Sequence, residues 1–257
     1  MKTMIIQEHP MNTHIWLVGA GPGDPELITL KAVRVLAQAE VVMVDDLVNP
    51  AILEHCPQAR IIRVGKRGGC RSTPQAFINR LMLRYGRQGK RLVRLKGGDP
   101  CIFGRAGEEA QWLAERGVKA EIINGITAGL AGATLCGIPL TLRGVSRGVT
   151  LVTAHTQDDS ELNWSALANS GTTLVVYMGV ARLAQIEAGL LAGGLPAGTP
   201  AAMIERASLP EQRETRCTLG SLCQVATQVG LQSPAVLVIG EVAALASEQL
   251  LQPHAVA

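Results

Sequence analysis

Residues 14–25 read His-Ile-Trp-Leu-Val-Gly-Ala-Gly-Pro-Gly-Asp-Pro, an apolar run that leads into a glycine-rich turn. The run predicts a buried strand over His14–Val18. Asp24 and Pro25 suit the N-cap and the first position of a helix. A dinucleotide-binding G-x-G-x-x-G pattern counted from Gly19 would need a third glycine where Asp24 stands. The stretch therefore predicts the strand-turn-helix unit of an α/β fold, and on its own it leaves a binding loop and a plain turn equally open.

Short β-branched runs alternate with helical segments along the whole chain. This alternation predicts a first sheet of five strands and then restarts near Val149. The further predicted strands are 41–44, 61–64, 91–95, 121–123, 149–153, 173–177, 201–204, 215–219 and 235–239, and the first long helix is predicted over Glu26–Gln38. We therefore predict an α/β fold of two domains, 13–140 and 144–246, with mainly parallel or mixed sheets. Ligands of such folds bind beyond the carboxyl ends of the strands, so we expect an active-site cleft between the domains.

Composition excludes several classes of protein. The chain has 257 residues with 24 Lys and Arg against 21 Asp and Glu, a balance too even for a surface that coats nucleic acid. Aromatic residues make up 3%, which leaves few side chains for stacking on single strands. The six cysteines form no C-x-x-C pair, which argues against a zinc site or a disulfide framework. We expect a cytoplasmic protein with no metal, no nucleic-acid partner and no membrane segment.

The second informative stretch is Arg94–Arg105, which follows a predicted strand and contains Lys-Gly-Gly-Asp-Pro. Adjacent glycines allow a ligand to approach the backbone closely, and Asp99 places a carboxylate at the sheet edge, where it could meet a cation or a ligand amine. Arg105 and Glu108 are spaced to share one face of the helix that follows. These features favour a functional loop over a plain turn.

A basic stretch begins at the third predicted strand and continues beyond its end: Arg60, Arg63, Lys66, Arg67 and Arg71, interrupted by glycines. A solvated surface loop is the usual explanation of such a run. Guanidinium groups also bind carboxylates and phosphates in bidentate fashion. Because the stretch lies at the same predicted sheet edge as the other motifs, its position favours an anionic substrate.

The remaining candidate positions also follow predicted strands. Asp45 ends the second strand, where a dehydrogenase would use an acidic residue on the ribose of its cofactor. Asn124–Gly129 closes the fifth strand, and its small residues suit either close helix packing or a binding loop. Thr127 suits an N-cap, and Arg143 lies near the predicted hinge.

Seven segments in order are similar to motifs of the tetrapyrrole methylase family. They are 18–25, 45–48, 64–67, 96–100, 103–105, 125–128 and 138–141. On these motifs the chain is identified as a member of that family from Ile15 to Val242. At four positions the residue differs from the one usual in the family's motifs: Val44, Asp46, Asn124 and Leu142. These departures weaken the transfer of detailed substrate contacts and leave the reaction class intact.

The resemblance implies two α/β domains, a homodimer, and methyl transfer from S-adenosylmethionine to a tetrapyrrole. The most similar members methylate two carbons of uroporphyrinogen III and give precorrin-2 by way of precorrin-1. By position, the residues implied around S-adenosylmethionine are Pro22, Gly97, Gly98, Asp99, Ile102, Thr127, Ala128, Met178 and Ala207. Those implied to be catalytic are Arg105, Asp45 and Glu108, and those implied to bind the tetrapyrrole are Lys66, Arg67 and Arg143.

The implied chemistry agrees with the residue types. A sulfonium methyl group is already activated, so the protein needs no nucleophile and no metal, only alignment and management of a proton. The carboxylates of uroporphyrinogen give the arginines a binding role. An arginine pKa above ~12 makes Arg105 a poor base, and Asp45 is the alternative.

Three other readings remain open from the sequence. They are a nicotinamide-dependent oxidoreductase, a tetrapyrrole carrier without turnover, and a related methylase that acts on another corrin intermediate or on ribosomal RNA. Binding of S-adenosylhomocysteine or of NAD separates the first of these from the methyltransferase.

Overall fold

The computed structural model describes residues 14–65, 73–155 and 162–245. The chain divides into two compact units, which we call the N-terminal unit, Met1–Thr127, and the C-terminal unit, Ala128–Ala257. Each is built on one five-stranded sheet with helices, as the alternation predicted. No helix within the described residues has the length and apolarity needed to cross a membrane.

The sheet of the N-terminal unit is entirely parallel, in the order β3-β2-β4-β1-β5. Its strands are β1 (Ile15–Gly19), β2 (Val41–Val44), β3 (Arg60–Arg63), β4 (Leu92–Lys96) and β5 (Ala120–Ile123), and its helices are α1 (Leu30–Leu36), α2 (Gln75–Arg87) and α3 (Ala106–Ala114). The three central strands are buried along their whole length. Such burial is expected of a parallel sheet covered by helices on both faces, and it explains why these strands read as continuous apolar runs.

The prediction of one helix over Glu26–Gln38 is wrong. The Asp24 side chain caps a 3-10 turn, Pro25–Leu27, and the chain then extends through Ile28. The hydroxyl of Thr29 accepts a hydrogen bond from the N–H of Ala32 at 3.2 Å and caps α1. Two caps within six positions give two short helical segments, because each cap residue has extended backbone geometry.

The sheet of the C-terminal unit is mixed, in the order β6-β7-β10-β8-β9. Its strands are β6 (Val149–Thr153), β7 (Thr173–Tyr177), β8 (Pro200–Glu205), β9 (Arg213–Thr218) and β10 (Ala235–Ile239), and its helices are α4 (Ala128–Leu135), α5 (Trp164–Ala168), α6 (Leu183–Ala192) and α7 (Leu222–Val229). Only β6 and β7 are parallel; β10 is antiparallel to both neighbours, and β8 and β9 are antiparallel. No helix separates β8 from β9, so these consecutive strands return on each other directly.

Helix α4 belongs to the C-terminal unit, because the chain divides between Thr127 and Ala128. The predicted boundary lies at residues 140–144. The N–H of Gly129 donates a hydrogen bond to the hydroxyl of Tyr177 at 2.9 Å. A Cβ atom at Gly132 would lie 3.1 Å from the side chain of Ile204. The small residues of α4 therefore serve close packing on β7 and β8, one of the two roles that the sequence left open.

Candidate active site

The loops that follow β1 and β4 are joined by a backbone pairing beyond the end of the sheet. Gly98 donates its N–H to the carbonyl of Gly21 at 2.7 Å, and Gly21 donates to the carbonyl of Gly98 at 3.3 Å. Gly21 has φ +81° and Gly98 has φ +68°, a region that glycine adopts without strain. The glycines that the sequence singled out in two separate motifs thus meet at one point.

A third loop, after β5, packs against this pairing through glycine backbones. A Cβ atom built at Gly19 would lie 2.6 Å from both the N of Gly125 and the carbonyl oxygen of Gly98. A Cβ atom at Gly125 would lie 2.9 Å from the Cα of Gly19. We call these three residues, Gly19, Gly98 and Gly125, the glycine contact. It leaves no room for a side chain and brings the ends of β1, β4 and β5 together.

Asp99 joins the loop after β4 to the loop after β5 by hydrogen bonds. Its side chain is 6% exposed, and one carboxylate oxygen accepts the N–H of Cys101 at 2.7 Å. The other accepts the N–H of Gly125 at 3.1 Å and the side-chain amide of Asn124 at 3.3 Å. The sequence led us to expect this carboxylate facing a ligand cation or amine, but its oxygens are directed to N–H groups of its own loops. Asp99 therefore fixes the shape of the loop edge.

Arg105 and Glu108 form an exposed ion pair at the start of α3. The guanidinium donates to both carboxylate oxygens, with distances of 3.1 and 2.7 Å to the same oxygen, Oε2. The hydrogen bond to Glu108 raises the pKa of Arg105 above its already high value, and the same bond lowers the pKa of Glu108. Arg105 therefore stays protonated and suits binding of an anion better than proton abstraction.

Non-glycine residues with positive φ occur in only three places among the residues that the structure describes. They lie in the loops after β4, β7 and β8, and they are Phe103, Arg105, Met178, Arg206 and Ser208. Such backbone costs free energy, and it concentrates at functional sites. Met178, implied by the resemblance at the cosubstrate, is one of the five, and the buried Ala207 lies between two others.

Asp45 follows β2 and is held by two cations of the neighbouring strand. The guanidinium Nη2 of Arg94 lies 2.6 Å from one carboxylate oxygen of Asp45, and the Nζ of Lys96 lies 3.9 Å from the other. Arg94 and Lys96 are 2% and 4% exposed. Sequence analysis gave these cations no role, although charged residues two apart in an apolar strand share one face and are a signal of a buried ionic group.

Glu109 of α3 contacts the same two cations, Arg94 and Lys96, from the helix side. It is fully buried, and both of its carboxylate oxygens lie 3.2 Å from the Nζ of Lys96. One of them also accepts the amide of Gln75 at 2.8 Å and lies 3.5 Å from Nε of Arg94. Burial is the main cause that lowers the pKa of Lys96, and Glu109 opposes that shift. Sequence analysis missed Glu109 and chose its neighbour, Glu108.

The other predicted site residues lie on several loops. Pro22 follows β1, Gly97 and Ile102 follow β4, and Thr127, which is buried, follows β5. Ala128 begins α4, and the exposed Arg143 lies between α4 and β6. Lys66 and Arg67 lie outside the described residues.

Four of the thiols in the described residues have pKa values above the usual range. Burial raises the pKa of Cys56, and it raises that of Cys136 to about 12 and those of Cys217 and Cys223 to about 11. Such thiols are poor nucleophiles at neutral pH. No group of three or more His, Cys, Asp or Glu in this part of the chain could hold a metal ion.

The fold and the loops agree with one protein family. The family model described as Tetrapyrrole (Corrin/Porphyrin) Methylases matches residues 14–223. The chain belongs to the tetrapyrrole methylase family, which confirms the resemblance drawn from the seven motifs.

Relatives and solved structures are similar over most of the chain. The uroporphyrinogen-III C-methyltransferase of Pseudomonas aeruginosa is 75% identical over 90% of this chain and 95% of its own length. That of Bacillus subtilis is 43% identical over 89% and 90%. The Thermus thermophilus uroporphyrin-III C-methyl transferase complexed with S-adenosyl homocysteine has a TM-score of 0.77 and 40% identity, covering 89% of this chain and 92% of that one.

Proposed function

We propose that this chain transfers methyl groups from S-adenosylmethionine to two carbons of uroporphyrinogen III, giving precorrin-2 by way of precorrin-1. The observation that carries the proposal is the 75% identity along 95% of the Pseudomonas aeruginosa uroporphyrinogen-III C-methyltransferase. The matched part is 90% of this chain, and the chemistry of an open α/β sheet resides in its strand-end loops. The glycine contact and the buried Asp99 support it, because they give this edge one fixed shape.

We propose that S-adenosylmethionine is bound at the loops after β1, β4 and β5. Glycine backbone at Gly97 and Gly98 lets a ligand approach main-chain groups, and Asp99 holds the loop for it. When bound, the cosubstrate supplies an activated methyl group. The residues assigned to it are Pro22, Gly97, Gly98, Asp99, Ile102, Thr127, Ala128, Met178 and Ala207. The strained backbone at Met178 and on both sides of Ala207 supports the last two.

We propose that the basic residues bind the carboxylates of the anionic substrate. Arg105, partly exposed and permanently charged, is suited to bind a carboxylate side chain of the macrocycle, and Glu108 orients it. Arg143, Lys66 and Arg67 are assigned to the remaining carboxylates.

Asp45 is the residue proposed to accept the proton that the macrocycle releases after methylation. In that step a C–H bond breaks, its electron pair stays in the ring system, and an O–H bond forms on Asp45. The side chain of Asp45 is 30% exposed, so a substrate can reach it. The raised pKa of Arg105 counts against arginine as the base.

A homodimer and a cytoplasmic location complete the proposal, both from the resemblance. The five cysteines among the described residues form no disulfide with one another, which agrees with a reducing compartment. Sedimentation velocity at micromolar concentration tests the dimer, and a monomer at all concentrations would contradict it.

The decisive experiment is an anaerobic incubation with enzymatically generated uroporphyrinogen III and methyl-labelled S-adenosylmethionine. We expect a product with two labelled methyl groups, and S-adenosylhomocysteine as the second product. Glu40→Gln, at the opposite end of the sheet, serves as a matched control and should keep this activity. Label incorporated only into another corrin intermediate would favour a related methylase. Binding of NAD without binding of S-adenosylhomocysteine would favour the oxidoreductase, which the broken glycine pattern already disfavours.

A further inference from the structure

Four charged side chains of the N-terminal unit form one group on a single face of β4. They are Asp45, Arg94, Lys96 and Glu109, which we call the β4 charge cluster, and their formal charges sum to zero. Burying charges costs free energy that pairing recovers only in part, and apolar side chains of the same volume would often be as stable. A buried cluster of this size at a strand end therefore indicates a role besides stability.

The cluster opens toward solvent at one member. Arg94 and Lys96 have side chains 3% and 6% exposed and Glu109 has none exposed, whereas that of Asp45 is 30% exposed. Arg94 and Lys96 each lie between the two carboxylates, with Glu109 on the helix side and Asp45 at the end of β2. Glu109 thus competes with Asp45 for the same two cations.

We propose that Glu109 is a positioning residue for Asp45. Glu109 contacts both Arg94 and Lys96 and so holds these cations in place. Its negative charge also offsets part of their positive potential at Asp45. Asp45 is then oriented by a short hydrogen bond from Arg94, and its partly exposed carboxylate faces the substrate side. This inference rests on the proposed function and on Asp45 as the proton acceptor.

The charged groups that face Asp45 in the described part of the chain set the expected direction of change. Strand β4 contributes the cations Arg94 and Lys96, and α3 contributes Glu109. The pair formed by Arg105 and Glu108 acts on Glu109 and Lys96 through longer-range interactions. Helix α2 contributes neutral amides, Gln75 and Asn79, and Asp46 is the chain neighbour of Asp45.

In Glu109→Gln the two cations interact with Asp45 alone, which stabilises its negative charge. Removing Lys96 has the opposite effect. The experiment is the pH dependence of kcat for methyl transfer in Glu109→Gln, Lys96→Met and the double variant. We expect the acid limb to move down by about one pH unit in Glu109→Gln and up by about one unit in Lys96→Met. In the double variant, where the charge balance is restored, the limb should return toward its original position.

Two further measurements separate positioning from stability. The dissociation constant of S-adenosylhomocysteine should change less than about threefold in these variants, so the effect lies in kcat. Glu40→Gln, which removes a carboxylate shared by Lys90 and Arg91 at the amino end of β2, should leave the limb unmoved.

If both single variants lose activity with the acid limb unmoved, or if it moves the same way in both, the inference is wrong. Failure of the unsubstituted chain to methylate uroporphyrinogen III would instead overturn the proposed function. If Glu109→Gln does not fold, Lys96→Met alone tests the direction.

Discussion

The carboxylate of Asp99 accepts the backbone N–H of Gly125 at 3.1 Å, across 26 positions of sequence, and ties the loop after β4 to the loop after β5. This hydrogen bond makes Asp99 part of the architecture of the edge. A residue with that role affects folding as well as ligand binding, and the two effects can be measured separately.

Asp99→Ala should lower the free energy of unfolding by about 1–3 kcal/mol, because it leaves the N–H groups of Cys101 and Gly125 without their acceptor. It should also weaken binding of S-adenosylhomocysteine roughly tenfold or more, since the loop loses its fixed shape. Urea unfolding and titration calorimetry measure the two quantities. Unchanged stability together with lost binding would instead point to direct contact between Asp99 and the ligand.

Gly125→Ala should destabilise the N-terminal unit by about 1–3 kcal/mol, because the added methyl group collides with the backbone of Gly98 and Gly19. Gly107→Ala is the matched control. A Cβ atom there would meet nothing within 4 Å, and alanine is favoured over glycine in a helix, so this variant should keep its stability or gain up to about 1 kcal/mol. Equal thermal stability of the two variants would contradict the glycine contact.

Arg105→Ala should change the free energy of unfolding by less than about 0.5 kcal/mol, because its ion pair with Glu108 is exposed. Methyl transfer should fall about ten- to a hundredfold, the cost of one charge-assisted hydrogen bond to a substrate carboxylate. Arg116→Ala removes another exposed arginine of the same region and should keep normal turnover. Normal turnover in both variants would remove Arg105 from the site.

The lowered pKa of Glu40 predicts how acid affects the stability of the folded chain. Hydrogen bonds from Lys90 and from the backbone of Arg91 lower the pKa of Glu40 from 4.5 to about 2. A carboxyl whose pKa is lower in the folded chain stabilises it above the unfolded value, and this contribution is lost as the pH falls through the folded value. The melting temperature should therefore fall less between pH 4.5 and pH 2 in Glu40→Gln than in the unsubstituted chain. Parallel curves would show that Glu40 contributes nothing.

The strands were the most predictable part of the fold. β2, β6, β7 and β10 have the predicted bounds, because strands buried on one or both faces read as β-branched apolar runs whatever their surroundings. The break in the predicted helix Glu26–Gln38 was not predictable from periodicity. A threonine can stand at an N-cap or inside a helix, and the hydrogen bond that Thr29 accepts from Ala32 shows that it is a cap. The cleft between the domains stays a prediction.

The site was predictable where glycine and charge follow a strand, and less so where the partners are distant in sequence. Adjacent glutamates on α3 illustrate the limit: Glu108 is exposed and pairs with Arg105, whereas Glu109 is fully buried against Lys96. Successive residues of a helix face different directions, so which of the two is buried depends on where the helix docks. The hydrogen bonds that Asp99 accepts from Asn124 and Gly125 were missed for a similar reason, because these two residues are distant in sequence and follow another strand.

The reciprocal hydrogen bonds of Gly21 and Gly98 form an isolated antiparallel bridge, an extension of the contact between the parallel strands β1 and β4 beyond the last residue of each. Amide protons on this extension can exchange with deuterium only when both loops separate at once. We expect the amides of Gly21 and Gly98, and that of Gly125, which is bonded to Asp99 at the same edge, to show one common free energy of opening. A ligand that slows exchange at any one of them will therefore slow it at all three, even where it touches only one.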